Sequence, residues 1–193
     1  MEPRRLPEVI AQAQAGQAWA FEALLEAYGP RLYGYFFRAL GNHHDAEDLL
    51  GEMTLKLVAR LATYDDRGKF EPWLFRIAAN LVRDRIRRLR ANPSAASLST
   101  EDDSGGSLGD RLAGESEPAD KGLVEGEAHG ELAEALNRLD ELTRQMIVLR
   151  HYGELSYREI ADICDCPVGT VLARVHRGLK ALRRWMVGDD DAE

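Results

Sequence analysis

The sequence predicts an all-α protein of two small helical domains joined by a flexible acidic linker. Three observations point there. Apolar residues recur at three- and four-residue spacing over long stretches, and alternating β-branched runs are missing. Residues 93–129 are rich in Ser, Gly and acids and hold no aromatic residue, so they cannot bury enough apolar surface to offset their ordering entropy. Finally, "SYREIADICDCPVGTVLARVHRG" reads as a short helix, a tight turn and a second helix.

Taken in order, a first helix is expected over about 5–15, ending at Gly16, and a second over about 18–40, stopping at Gly41. In the second, Phe21, Leu24, Leu25, Tyr28, Leu32, Tyr35 and Phe36 form the apolar stripe, and Pro30 is expected to kink or break it. A third helix should cover about 45–62 and a fourth about 70–90, closed by Pro93. The second module starts near residue 130 with "ELAEALNRL" and "ELTRQMIVLRHY". Ser156 can cap the helix that follows, with Ile160 and Ile163 facing inward, and Pro167 suits the start of the last one. These boundaries give domains at 1–92 and 130–187, a linker at 93–129 and an acidic tail at 188–193.

Charge is distributed unevenly among these parts. The chain of 193 residues carries a formal −8. In 93–129 nine acids face Arg111 and Lys121, a balance of −7, and the tail "DDDAE" adds −4, which leaves the folded parts at +3. The low overall charge is therefore compatible with a nucleic-acid partner. No apolar run approaches the roughly 20 residues of a membrane span. "MEPRRLPEVIAQAQAG" lacks the apolar core of a secretory signal, so a cytoplasmic protein is expected. Cys164 and Cys166, the only cysteines, exclude a disulfide framework and read as small packing residues.

"RIAANLVRDRIRRLR", residues 76–90, concentrates positive charge. At about 100° per residue, Arg76, Asn80, Arg83, Arg87 and Arg90 share one face, while Ile77, Leu81, Val82, Ile86 and Leu89 share the other. Arg85 falls on the apolar side and is expected to snorkel from the edge of the core. An ordinary solvated face mixes signs, but Asp84 is the only acid here. Such unmixed repulsion is relieved when phosphates are neutralised. Just upstream, Tyr64, Phe70, Trp73 and Phe75 are interleaved with Arg67, Lys69 and Arg76, a combination suited to stacking on unpaired bases. Trp73, four residues from Ile77, also suits a hydrophobic core. In the last helix Val171, Val175 and Leu182 should be buried, leaving Leu172, Ala173, His176, Arg177 and Lys180 on a face that fits a major groove.

No enzyme is indicated. "NHHDAED" is set aside as a metal site because adjacent histidines project apart and Asp45 suits a helix N-terminus. Asp65 and Asp66 have no nucleophile, phosphate-cradling loop or metal cluster beside them. No cofactor is expected.

The two modules together resemble the extracytoplasmic-function (ECF) group of sigma-70 family sigma factors. "AQAGQAWAFEALLEAYGPRLYGYFFRALGNHHDAEDLL" is similar to the opening of region two in that family. "DAEDLLGEMTLKLVARLATYDDRGKFEPWLFRIAANLVRDRIRR" resembles its polymerase-binding and promoter-melting helices. "ALNRLDELTRQMIVLRHYGELSYREIADICDCPVGTVLARVHRGLKALRR" resembles region four. The resemblance implies that Asp45, Asp48, Glu52 and Leu55 dock on the β′ clamp of bacterial RNA polymerase core. It implies that Tyr64, Arg67, Lys69, Phe70, Trp73, Arg76, Asn80, Arg83 and Arg87 open and hold the minus-ten element of promoter DNA. A base flipped from the non-template strand would lodge over Asn80 and Arg76. Ser156, Tyr157, Leu172, Ala173, Arg174, His176, Arg177 and Lys180 would meet the minus-thirty-five element, with region four near the β flap. Family members often have an anti-sigma factor as partner.

Three departures from the family pattern stand out. Gly51 precedes Glu52 where a Gln is usual, at about 1 kcal/mol of helix propensity against Ala. Leu172 and Ala173 occupy places where a basic residue and a Ser are usual, so they can meet a thymine methyl but donate no hydrogen bond. The linker is also longer than is common. The alternative is a stand-alone helix-turn-helix regulator that binds duplex DNA without polymerase; the aromatic–basic block at 64–90 argues against it, since duplex binding needs no base stacking.

Overall fold

A computed structural model describes residues 5–65, 68–91 and 131–187. The linker 93–129, the tail 188–193 and Arg67 lie outside the described residues. All regular structure among the described residues is helical, in two compact units.

The first unit contains α1 (Leu6–Gln14), α2 (Ala18–Leu40), α3 (His43–Leu61) and α4 (Phe70–Ala91). Helix α2 is continuous through Pro30, so of the kink or break expected there the break does not occur. The proline ring sits on the exposed side, where water can meet the carbonyl it leaves unmatched. Gly41, at φ 74°, ends α2 in the left-handed conformation, its N–H bonded to the Phe37 carbonyl. Asn42 then caps α3 by accepting from the Asp45 N–H at 3.1 Å, so α3 opens two residues earlier than its apolar spacing suggests. Helix α2 packs on α1, α3 and α4, and α3 packs on α4. Tyr35, Phe36, Leu24, Leu32, Met53, Leu61, Leu74 and Phe75 fill the core between them.

The second unit contains a helical stretch at 131–137 (α5), then α6 (Glu141–His151), α7 (Tyr157–Cys164) and α8 (Val168–Val187). Ser156 and Glu159 form a reciprocal capping box at the start of α7. Met146, Leu149, Leu155, Ile160, Val171 and Val175 form the core. Two glycines permit close approach. A Cβ at Gly178 would stand 2.6 Å from both Ile147 Cδ1 and Thr143 Cγ2, so the glycine lets α8 lie directly on α6. A Cβ at Gly153 would stand 2.5 Å from the Leu149 carbonyl oxygen, which belongs to rigid backbone.

The turn between α7 and α8 passes through Asp165 in the left-handed region, at φ 51° and ψ 53°, and Cys166 N–H bonds the Ala161 carbonyl. Aspartate tolerates this conformation but glycine adopts it without a Cβ penalty. Asp165→Gly should therefore raise the stability of the second unit by about 0.5–1 kcal/mol, and Asp165→Ala should lower it, in thermal melts of the full chain.

Candidate polymerase and nucleic-acid surfaces

Helix α4 divides along its length. Arg76, Asn80, Arg83, Arg87 and Arg90 are exposed, whereas Leu74, Phe75, Ile77, Ala78, Leu81 and Val82 are buried. Arg87 pairs with Asp84 at 2.8 Å on the exposed side. The result is a cationic stripe with one amide, Asn80, that can both donate to and accept from a base edge.

The aromatic residues before this stripe are arranged differently from the expectation of free stacking faces. Phe70 is only 2% exposed, enclosed by Tyr28, Tyr64 and Trp73 with ring centroids 5.4–5.6 Å away. It is a core residue and offers no face to a base. Tyr64 and Trp73 are half-buried and lie 4.5 Å apart, so each has one side committed to the other. Lys69 is exposed. Gln14, on α1, donates through Nε2 to the carbonyls of Leu61 at 3.0 Å and Tyr64 at 2.6 Å, which ties the loop entrance to the end of α3. The start of α4 is held from α2: Glu71 accepts from Arg31 at 3.2 Å and from the Tyr28 hydroxyl at 3.3 Å. Burial, followed by the charge and hydrogen bond of Glu71, pushes the Tyr28 hydroxyl well above the usual tyrosine range, so it remains a donor.

On α3, Asp48 is exposed and Glu52 half-buried, with Glu52 3.4 Å from Lys56. Leu55 is 73% exposed and Val58 52%. Val58 is one turn from Leu55 on the same stripe, a position that helical spacing from Leu55 could have found. Asp45 departs from the docking expectation. It is 4% exposed and its carboxylate is bonded to Arg85 across the helix pair, so it is taken up inside the unit. Arg85 correspondingly does not snorkel to water but reaches α3.

In the second unit Leu172, at 45% exposure, Ala173, His176, Arg177 and Lys180 form one exposed stripe of α8, which Arg183 and Arg184 extend. The last two continue the three- and four-residue spacing from His176 and Lys180 and could have been found by it. Arg177 donates through Nε to the Ala173 carbonyl at 3.1 Å, within its own helix. Arg174 does not join the stripe. It is half-buried and donates to Asp140 at 2.9 Å and to the Thr143 hydroxyl at 3.1 Å, which pins α8 to the start of α6. The Ser156 hydroxyl is engaged in the capping box, and Tyr157 is half-buried with the Arg150 guanidinium 5.3 Å from its ring. Among the described residues, no three His, Cys, Asp or Glu side chains are placed to hold a metal ion. No helix there is long and apolar enough to cross a membrane.

Comparison with known proteins gives a consistent picture. Residues 24–92 match the family Sigma-70 region 2, and residues 129–182 match Sigma-70, region 4. The ECF RNA polymerase sigma factor SigW of Bacillus subtilis is 33% identical over 179 residues, 92% of this chain and 94% of that protein. Among solved structures, the fold is similar to the sigma factor RpoE of Bartonella quintana in complex with the anti-sigma factor NepR. The TM-score is 0.64 at 25% identity, covering 88% of this chain and 98% of that one. CnrH in complex with the cytosolic domain of CnrY is also similar, with a TM-score of 0.63 at 26% identity, covering 94% and 97%.

The Asp140–Arg174 contact has a pH signature. Partial burial pushes the Asp140 carboxyl up, but hydrogen bonds from the Thr143 side chain and N–H and the charge of Arg174 outweigh it and leave it below the usual range. A depressed carboxylate stabilises the folded state above its unfolded value of about 3.9, and that contribution fades as pH falls through the folded value. Asp140→Asn should lower the melting temperature at pH 7, and the gap from the unsubstituted chain should close below about pH 4.

Proposed function

The chain belongs to the ECF group of the sigma-70 family, and from that membership we propose how its surfaces divide the steps of promoter-specific initiation. It is a sigma factor, not an enzyme: it binds RNA polymerase and promoter DNA and directs where transcription begins. The match over both modules sets aside the stand-alone duplex-binding regulator.

In our reading, residues 1–92 carry core binding and minus-ten recognition, and 130–187 carry minus-thirty-five recognition. The linker 93–129 and the tail 188–193 lie between and after them. Asp48, Glu52, Leu55 and Val58 dock on the β′ clamp, the two apolar side chains supplying burial and the two acids register. Arg76, Asn80, Arg83 and Arg87 follow the non-template strand. Tyr64 and Trp73 contribute only the ring edges and faces that their mutual contact leaves open. Arg67 and Lys69 serve the same strand; Lys69 is exposed, and Arg67 is outside the described residues. His176, Arg177 and Lys180, with Leu172 and Ala173, meet the upstream element, and the same module lies near the β flap. The similar RpoE is in complex with an anti-sigma factor and the similar CnrH with the cytosolic domain of CnrY, which supports an anti-sigma partner and a cytoplasmic location here.

One observation carries this reading. The first unit displays an acid–apolar stripe on α3 and a cationic stripe on α4, and both point outward from one core. A protein that must hold a polymerase and a DNA strand at once needs both stripes on one rigid body. The cationic stripe supplies affinity for phosphate, and Asn80 supplies the hydrogen bonds that capture a flipped base, which makes melting and recognition one event.

Asn80→Ala should reduce promoter opening roughly tenfold, the size of one lost base contact, while core binding is unchanged. Permanganate reactivity of unpaired thymines and a polymerase binding titration read the two separately; equal loss of both would overturn the assignment. Arg177→Ala should weaken upstream-element binding by about 1–3 kcal/mol if it reads a base. A smaller salt slope with unchanged sequence preference would reassign it to phosphate.

A further inference from the structure

Arg85 sits on the packed side of α4, about 180° around the helix from Arg76. Its guanidinium crosses to α3 and bonds the Asp45 carboxylate, and it stands 3.8 Å from Asp48 Oδ2. The two acids differ in environment: the side chain of Asp45 is 5% exposed, that of Asp48 51%. Asp45 is also fixed at its backbone, where its N–H is held by the Asn42 cap. Among the described residues, the Arg85 Nε is buried without a hydrogen-bond partner. An apolar side chain at this place would leave no such group, so the unmatched donor marks a position occupied for what the fork does rather than for packing.

A planar guanidinium held by a buried carboxylate resists rotation in a way that apolar side chains, which slide over one another, do not. Rotation of α4 against α3 is the motion that would turn the Asn80–Arg76 face away from a strand whose path is set by a polymerase seated on α3. We propose that Arg85 is a positioning residue for promoter opening: through Asp45 it fixes the angular setting of the strand-gripping helix on the polymerase-docking helix. Neither Arg85 nor Asp45 touches polymerase or DNA in this scheme. The proposal rests on the sigma-factor assignment of α3 and α4 and adds to it a contact between the two.

The test uses the full chain with core polymerase on promoters mapped from transcript starts after overexpression. Single substitution at either partner strands a buried charge, so the informative variant is the apolar double replacement Asp45→Leu/Arg85→Met, with Arg85→Lys as the conservative companion. Melting temperature, core affinity and permanganate reactivity of the minus-ten thymines are measured on each. The expected result is a double variant that folds and binds core within about twofold of the unsubstituted chain, yet opens promoter at least about fivefold less well. Arg85→Lys, which keeps the charge but loses the fork, should recover part of the opening. Full opening by the double variant would overturn the proposal, as would loss of opening in proportion to core affinity, since the pair would then only hold the fold together. If the unsubstituted chain with core opened no promoter, the sigma-factor assignment itself would fall, and the proposal with it.

Discussion

Packing of the apolar side of α4 against α2 and α3 is the contact from which the rest of the first unit follows. Each large apolar side chain buried there contributes about 1.5–3 kcal/mol, and Leu74, Phe75, Ile77, Leu81 and Val82 are all buried. Repulsion between arginines three or four apart costs only a few tenths of a kcal/mol per pair. Burial wins by a wide margin, so the helix is set with its hydrophobic stripe inward and its cations have nowhere to go but the surface. The cationic face is thus a consequence of the core rather than a structure built separately.

The approach to that face is made rigid in the same way. The rings of Tyr64, Phe70 and Trp73 pack on one another and on Tyr28. The side chain of Gln14 holds the end of α3, and the Glu71 contacts with Arg31 and Tyr28 hold the beginning of α4. Contacts fixed before a partner arrives lower the ordering entropy that binding must offset. The aromatic cluster is thus committed largely to packing between the end of α3 and the start of α4, with Lys69 exposed beside it in the chain.

The second unit reaches the same end by close approach. Gly178 allows α8 to settle on Thr143 and Ile147, and Arg174 reaches back to Asp140 and Thr143 on the same helix pair. Thr143 thus meets α8 through its methyl and through its hydroxyl. Helix α8 is located by these contacts along one edge, which leaves its opposite stripe of His176, Arg177 and Lys180 open. Leu172 and Ala173 on that stripe carry no side-chain donor, so the hydrogen-bonding side chains of the stripe start at His176.

Much of this was legible in the sequence by itself. Apolar periodicity located the helices to within a few residues and separated the two faces of α4 and of α8, while the resemblance of both modules to a known family pointed to the family. Those inferences succeed because they depend on spacing along one helix, a local quantity. What periodicity could not convey was where a side chain goes once a second helix lies beside it. Asp45 looks like a surface acid by position and type, and Arg174 looks like a reader of DNA, yet each is claimed by a partner on another helix, Arg85 or Asp140, 40 and 34 residues away. Phe70 sits among cations in the chain but among rings in space. A pairing between helices depends on their crossing and separation, which arise only when the cores close, and that is why tertiary structure alone decided which charged and aromatic groups remain for polymerase and DNA.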